Sequence, residues 1–156
     1  MKRNIVSLVL WIIGFQLIGA LMGNITKGNI KSWYVSLTKS PFTPPDITFG
    51  IVWTILYVLL AIIGWYLFSN LKDSKLRLPR ILFACQMFLN CLWTPIFFCF
   101  HLVGLALLTL SLMIIINSLL LKKMLRFHPI IAYGLFSYLV WLCFATYLNG
   151  YIWCNL

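Results

Sequence analysis

Acidic side chains are almost missing from this sequence: its 156 residues include Asp46 and Asp73 and no Glu at all. Paired-carboxylate catalysis within the fold is thereby excluded. So is a carboxylate proton relay, because both aspartates lie between the long apolar runs rather than inside them. Charge of either sign is scarce, at 9% of residues, against about 25% in soluble domains. The cysteines, at 85, 91, 99, 143 and 154, are odd in number and contain no CxxC pair. A disulfide framework and a zinc site are both unsupported by that spacing, and no metal is expected. Internal repeats and low-complexity linkers are lacking too.

What the chain has in excess is apolar surface, 63% of all residues. It falls into five runs, 5–22, 49–68, 81–100, 102–121 and 129–150. About 20 residues at ~1.5 Å per residue cross the ~30 Å hydrocarbon core of a bilayer. The expected fold is therefore all-α and integral to the membrane: a five-transmembrane-helix bundle forming a single domain over 1–156. Lys2 and Arg3 before the first run resemble a signal-peptide start. That run exceeds the ~7–15 residues of an h-region and no small-x-small site follows, so it reads as helix one.

The net charge of +10 would suggest nucleic acid in a soluble protein. Here the Lys and Arg sit between apolar runs, where they act on topology and headgroups, and no nucleic-acid partner is expected. Lys2, Arg3, Lys72, Lys75, Arg77, Arg80, Lys122, Lys123 and Arg126, nine in all, fall on the N-terminal side. Lys27, Lys31 and Lys39, three in all, fall on the other. The N-terminus is thus expected in the cytoplasm and the C-terminus outside. One external loop, 24–48, is much longer than the rest. It carries Trp33, Tyr34, Pro41, Phe42, Pro44 and Pro45, and disordered linkers are poor in aromatics, so a packed lid is the favoured reading.

Depth places the chemistry. Phe49, Trp53 and Tyr57 recur every four residues on one helical face, with Trp53 ~6 Å and Tyr57 ~12 Å below the outer end of span two. Gln86, Asn90 and Trp93 form a polar-aromatic face on span three, Asn90 ~15 Å deep. Trp141 lies ~14 Å deep on span five, with Ala145 and Asn149 continuing outward. All three stripes occupy the outer half of the bilayer beneath the long loop, the form expected of a small-molecule site. Asn90 and Gln86 serve equally well as pocket groups or as interhelical hydrogen-bond partners. Trp65, Tyr66, Tyr151 and Trp153 read as interfacial belts. Pro95 reads as a kink, Gly19-x-x-x-Gly23 as a helix-contact motif, and His101 and His128 as surface residues.

The run from Trp33 through Ser40-Pro-Phe-Thr-Pro-Pro45, followed by Phe49 and Trp53-Thr-Ile-Leu-Tyr57, resembles the first-loop and second-helix signature of the translocator protein/tryptophan-rich sensory protein family. Gln86-Met-Phe-Leu-Asn90-Cys-Leu-Trp93-Thr-Pro is similar to its third-helix motif, and Trp141-Leu-Cys-Phe-Ala145-Thr-Tyr-Leu-Asn149 to its fifth helix. The resemblance implies a homodimeric bundle in the lipid bilayer, with porphyrins and isoquinoline- or benzodiazepine-type compounds bound under the first loop. It also implies light- and oxygen-dependent porphyrin breakdown, with Trp53 and Trp141 as the catalytic candidates. No standard acid, base, nucleophile or metal constellation accompanies them. No resident cofactor is required; porphyrin is ligand or substrate. By motif position the resemblance implies Trp53, Asn90, Trp141 and Ala145 as pocket residues. Taken with the helical faces, the candidate ligand-binding set is Phe49, Trp53, Tyr57, Gln86, Asn90, Cys91, Trp93, Trp141, Ala145 and Leu148, with Trp33, Phe42, Pro44 and Pro45 in the lid.

Many family members carry Trp where this chain has Cys91. Animal members carry a C-terminal cholesterol pattern, whereas no Lys or Arg follows Tyr147 here. A transporter of porphyrin or other small hydrophobic molecules is the alternative function. It has no intramembrane ionisable residue to couple ions and no inverted repeat.

The charge asymmetry predicts that a reporter active only in the cytoplasm works at the N-terminus and is silent at the C-terminus. The reverse pattern would place the long loop in the cytoplasm.

Overall fold

The computed structural model describes residues 4–69 and 71–156. Lys2 and Arg3, part of the charge asymmetry, and Asn70, beside the close of the second apolar run, lie outside the described residues. Five long helices form: α1 (Ile5–Ile30), α2 (Asp46–Phe68), α3 (Arg77–Thr94), α4 (Val103–Phe127) and α5 (Pro129–Cys154). All five spans, with α3 counted from Ser74 through Cys99, are 23–26 residues long with mean hydropathy between 1.6 and 2.4. This is a multi-pass integral membrane protein.

Local chemistry sets the ends. The Asn4 side chain accepts a 3.0 Å hydrogen bond from the Val6 amide and caps α1. Pro44 and Pro45 cannot donate to a preceding turn, so α2 starts immediately after them, with Asp46 in its positive first turn. The Asp73 side chain caps the 3-10 turn Ser74–Leu76 that leads into α3. Pro129 occupies the first position of α5, where a missing N–H costs nothing.

Helix ends differ from the hydropathy limits in a consistent direction. Helix α1 continues eight residues past Met22, through the polar run 24–29. Thr26 and Asn29 return hydrogen bonds of 3.0 Å to the carbonyls of Met22 and Ile25, so their polar groups are satisfied within the helix. Polarity ends a hydrophobic run but does not break a helix. The long loop is accordingly 31–45 rather than 24–48, and it contains one short 3-10 turn, Tyr34–Ser36. Helix α4 likewise runs past Lys122 and Lys123 to Phe127, and a single residue, His128, joins it to α5. At Pro95 the helix widens into a π turn, Pro95–Cys99, closed by the Phe100 amide on the Pro95 carbonyl at 3.0 Å. The wider turn accommodates a ring that has no N–H to give. His101, at φ 56°, then reverses the chain into α4.

The helices close into a ring in the order α1, α2, α5, α4, α3, with α3 and its π turn back against α1. The ring is filled unevenly. Leu60, Leu67, Leu120, Met124, Ala132, Leu135 and Leu142 pack the half nearer the N-terminus completely. Association there rests on close approach of small residues. A Cβ placed on Gly64 would lie 2.5 Å from Cζ3 of Trp11 and 2.9 Å from Cε1 of Phe83, so α2 meets α1 and α3 at that glycine. Tyr66, expected in the interfacial belt, is instead buried, with its hydroxyl 2.6 Å from Nδ1 of His128.

Gly→Ala in a helix ordinarily stabilises by up to about 1 kcal/mol. Gly64→Ala is expected to do the opposite and destabilise by about 1–3 kcal/mol through overpacking. Gly50→Ala, where a Cβ meets nothing within 4 Å, serves as the control. Thermal unfolding in detergent measures both, and equal shifts would refute the close contact.

Candidate functional site

The half of the bundle under the loop is hollow. A cavity of about 410 Å³ lies among α1, α2, the end of α3 with its π turn, and the C-terminal half of α5. Its floor is a chain of hydrogen bonds. The Tyr57 hydroxyl donates to Oδ1 of Asn90 at 2.7 Å, and Nδ2 of Asn90 donates to the Tyr138 hydroxyl at 2.8 Å. One buried amide thus ties α2, α3 and α5 together, and Tyr57 and Asn90 present their upper faces to the cavity. Gln86, one turn deeper on the same face, is fully buried under that floor, and neither of its amide atoms has a partner among the described residues.

The walls are aromatic. Phe49 and Trp53 come from α2, Trp93 from α3, and Phe97 and Phe98 from the π turn. Trp93 and Phe97 stack at 5.4 Å and 16°. Ala145, Leu148, Asn149 and Ile152 form the α5 side. Asn149 donates to the Val103 carbonyl at 3.0 Å and so holds α5 against the start of α4. Lys27 and Asp46 stand at the outer rim, both exposed.

Of the ten residues read from the sequence as ligand-contacting, Phe49, Trp53, Tyr57, Asn90, Trp93, Ala145 and Leu148 line this cavity. Gln86, Cys91 and Trp141 do not. Cys91 follows Asn90 and is therefore turned about 100° away around the helix. Trp141 stands behind the wall, edge-on to Trp53 at 6.3 Å and 87° and to Phe49 at 5.9 Å and 70°. Its role is to back the two rings that face the space.

The loop forms the roof through Tyr34, a loop aromatic outside the expected lid set of Trp33, Phe42, Pro44 and Pro45. Tyr34 is buried, lines the cavity, and packs against Phe97 and Phe98. Burial, with the Asp46 carboxylate adding to it, pushes its phenol above the ordinary value, so it stays neutral at physiological pH. Trp33 lies outside the cavity, stacked on His101 at 4.0 Å and edge-on to Phe97. Phe42 is exposed, and neither Pro44 nor Pro45 lines the space. Ser40, itself buried, pins the loop to α5 through a 2.9 Å hydrogen bond with the Tyr147 hydroxyl. The loop is a packed roof, with Tyr34 on its inner face and Trp33 and Phe42 outside the cavity.

The larger omission is α1. Gln16, Ala20, Gly23, Lys27 and Ile30 form one face at four- and three-residue spacing, and all five line the cavity. That spacing was visible, but the face is small and polar rather than aromatic. Gly19 and Gly23 also part company as a contact motif. A Cβ on Gly19 would come 3.1 Å from the Tyr57 ring, whereas one on Gly23 would meet nothing within 4 Å.

A family model described as TspO/MBR matches residues 8–154. The chain belongs to the TspO/MBR family. It is 32% identical over 151 residues to the tryptophan-rich protein TspO of Archaeoglobus fulgidus, covering 94% of each chain. It is 31% identical over 151 residues to the Chlorobaculum tepidum protein of the same name, covering 96% of this chain and 95% of that one. The translocator protein of Homo sapiens is 32% identical over 146 residues, with 90% of this chain and 86% of that one aligned. The family match thus spans the whole ring of helices that encloses the cavity.

Asn90→Leu removes the middle of the floor and leaves two buried phenols without their partner. A loss of about 1–3 kcal/mol in stability is expected, the cost of unsatisfied buried polar groups. Unfolding in detergent reads this, and a neutral result would make the bond chain energetically idle.

Proposed function

We propose that this TspO/MBR-family protein is a membrane receptor for flat, largely apolar aromatic molecules: porphyrins and related tetrapyrroles, and isoquinoline- or benzodiazepine-type compounds. The carrying observation is the cavity under the loop. Its 410 Å³ falls within the ~300–1,000 Å³ typical of small-molecule sites. It combines aromatic walls with a few fixed polar groups, which is how such sites gain both affinity and orientation. Trp53 and Trp93 offer large faces for stacking, and Asn90 and Tyr57 offer a polar floor already held in place. Lys27 at the rim suits an acidic substituent left near the headgroups. The protein needs no resident cofactor, and porphyrin enters as ligand or as substrate.

Light-dependent porphyrin breakdown belongs to the same proposal. Trp53 faces the cavity and Trp141 touches it edge-on, so an excited macrocycle would have one oxidisable indole in contact and a second behind it. Oxygen would be the co-reactant. Transport is the second reading, supported by the name of the human relative, translocator protein. The floor and the packed half beneath it argue against a through-path. The nine-to-three Lys/Arg count supports a cytoplasmic N-terminus, which would put the roof outside. The family resemblance supports a homodimer in the bilayer.

The test pairs affinity with chemistry. Trp53→Ala should weaken protoporphyrin binding in the dark by about 1–3 kcal/mol, the worth of one large buried side chain. Trp53→Phe and Trp141→Phe should keep most of the affinity and slow bleaching under light, because a phenyl ring is far harder to oxidise than an indole. Unchanged dark affinity in folded Trp53→Ala would remove the cavity as the binding site. Equal bleaching in wild type, variants and free porphyrin would leave a receptor without enzymatic chemistry.

A further inference from the structure

The cavity has one thin side. Its lining residues on α3, the π turn and α5 are buried or half-buried, and so is Tyr34 in the roof. The exposed lining residues are Ala20, Asn24, Lys27, Asp46, Gly50 and Thr54, all on α1 and α2. Helix α1, moreover, has no buried residue along its whole length.

The two helices are tightly joined lower down. Trp11 meets Phe68 at 5.6 Å and fills the notch at Gly64, Phe15 meets Tyr57 at 6.4 Å, and Gly19 lies against the Tyr57 ring. Above Gly19 the contact opens. Cβ atoms placed on Gly23 and on Gly50 would meet nothing within 4 Å. The lower edge of the opening is crossed by the Gln16 side chain, which donates to the Thr54 carbonyl at 3.0 Å. The roof is held by the Ser40–Tyr147 bond and the Trp33–His101 stack, both directed away from this seam.

Depth decides what the opening faces. Gly23 lies ~6 Å below Lys27, and Gly50 and Thr54 lie ~6 Å and ~12 Å below Asp46. Lys27 and Asp46 sit at headgroup level. The seam therefore runs from the headgroup boundary at its glycines down into the upper acyl region at Thr54, with a charged rim above it.

We infer that the seam between α1 and α2, framed by Gly23 and Gly50 above the Gln16–Thr54 bond, is a lateral portal. Through it, ligands already dissolved in the bilayer enter the cavity without passing the roof. This deepens the proposed receptor function, on which it rests, by narrowing the ligand class to molecules that partition into membranes. An apolar body slides between glycines that offer no side chain to displace, and any charged substituent stays at the Lys27–Asp46 rim. Desorption into water and loosening of the loop are both unnecessary.

The experiment uses the full chain in phospholipid vesicles, with protoporphyrin preloaded in the bilayer and binding followed by quenching of tryptophan fluorescence. Gly23→Phe and Gly50→Phe each place a ring in the gap from opposite helices. Each should slow both association and dissociation by about tenfold, in addition to any change in affinity from the ring's intrusion on the cavity. Ser40→Ala, which frees the loop from Tyr147, should leave both rates unchanged. Unaltered rates in whichever glycine variant folds, or a lower affinity with unaltered association, would overturn the portal. So would faster exchange in Ser40→Ala, which would assign entry to the roof. If wild type fails to bind the probe at all, the receptor reading falls, and the portal with it. Binding with rates indifferent to both glycines removes the portal alone.

Discussion

Asn90 is the residue on which the two halves of the bundle depend. Its amide has one donor side and one acceptor side, and a phenol from a different helix satisfies each. In a hydrocarbon surrounding, helices gain little from burying apolar surface against one another, because lipid is equally apolar. A shared polar group with no alternative partner therefore sets register in a way that leucine contacts cannot. Tyr57, Asn90 and Tyr138 lie at one level, and that level divides packed interior from cavity. Below it Gln86 is sealed in, and above it the polar groups face space.

The cavity follows from how the walls are built above that level. Aromatic rings are rigid and wide, and where they lean on one another they hold each other upright without filling the middle. Trp141 supports Trp53 and Phe49, Phe98 and Trp33 flank Phe97, and Phe97 in turn stacks on Trp93. The π turn after Pro95 swings Phe97 and Phe98 inward beneath Tyr34. Meanwhile α1, whose inward face is glycine, alanine and short polar side chains, contributes almost no bulk. Large rings on α2 and on α3 with its π turn, aliphatic and short side chains on α5, and small residues on α1 leave room for a ligand and a thin wall beside it.

The same arrangement separates the jobs of roof and seam. The roof is fastened to α5 and to the α3–α4 turn by a hydroxyl pair and a ring stack. These are specific contacts that must break for the loop to lift. The α1–α2 seam is held above Gly19 by far less. A site whose ligand is lipid-soluble is best served by this asymmetry, with a firm cover toward water and a yielding side toward the bilayer.

The sequence by itself determined the class of fold, the number of crossings and most of the aromatic wall. Those depend on composition, run length and helical periodicity, which are local. Phe49, Trp53 and Tyr57 share a face because they are four apart, whatever they pack against. Helix ends were less legible, since hydropathy marks where lipid stops, whereas a helix stops where its hydrogen bonds do; α1 and α4 both continue into water. Only the tertiary structure decided which residues touch the cavity. Trp141 and Trp53 look alike in sequence, yet one backs the wall and the other faces the space. Gln86 and Asn90 share a stripe, yet one lies beneath the floor and the other forms it. The contribution of α1 could be seen only once Gly19 was set against the Tyr57 ring and Gly23 beside the cavity, because a small residue acquires meaning from what stands across from it.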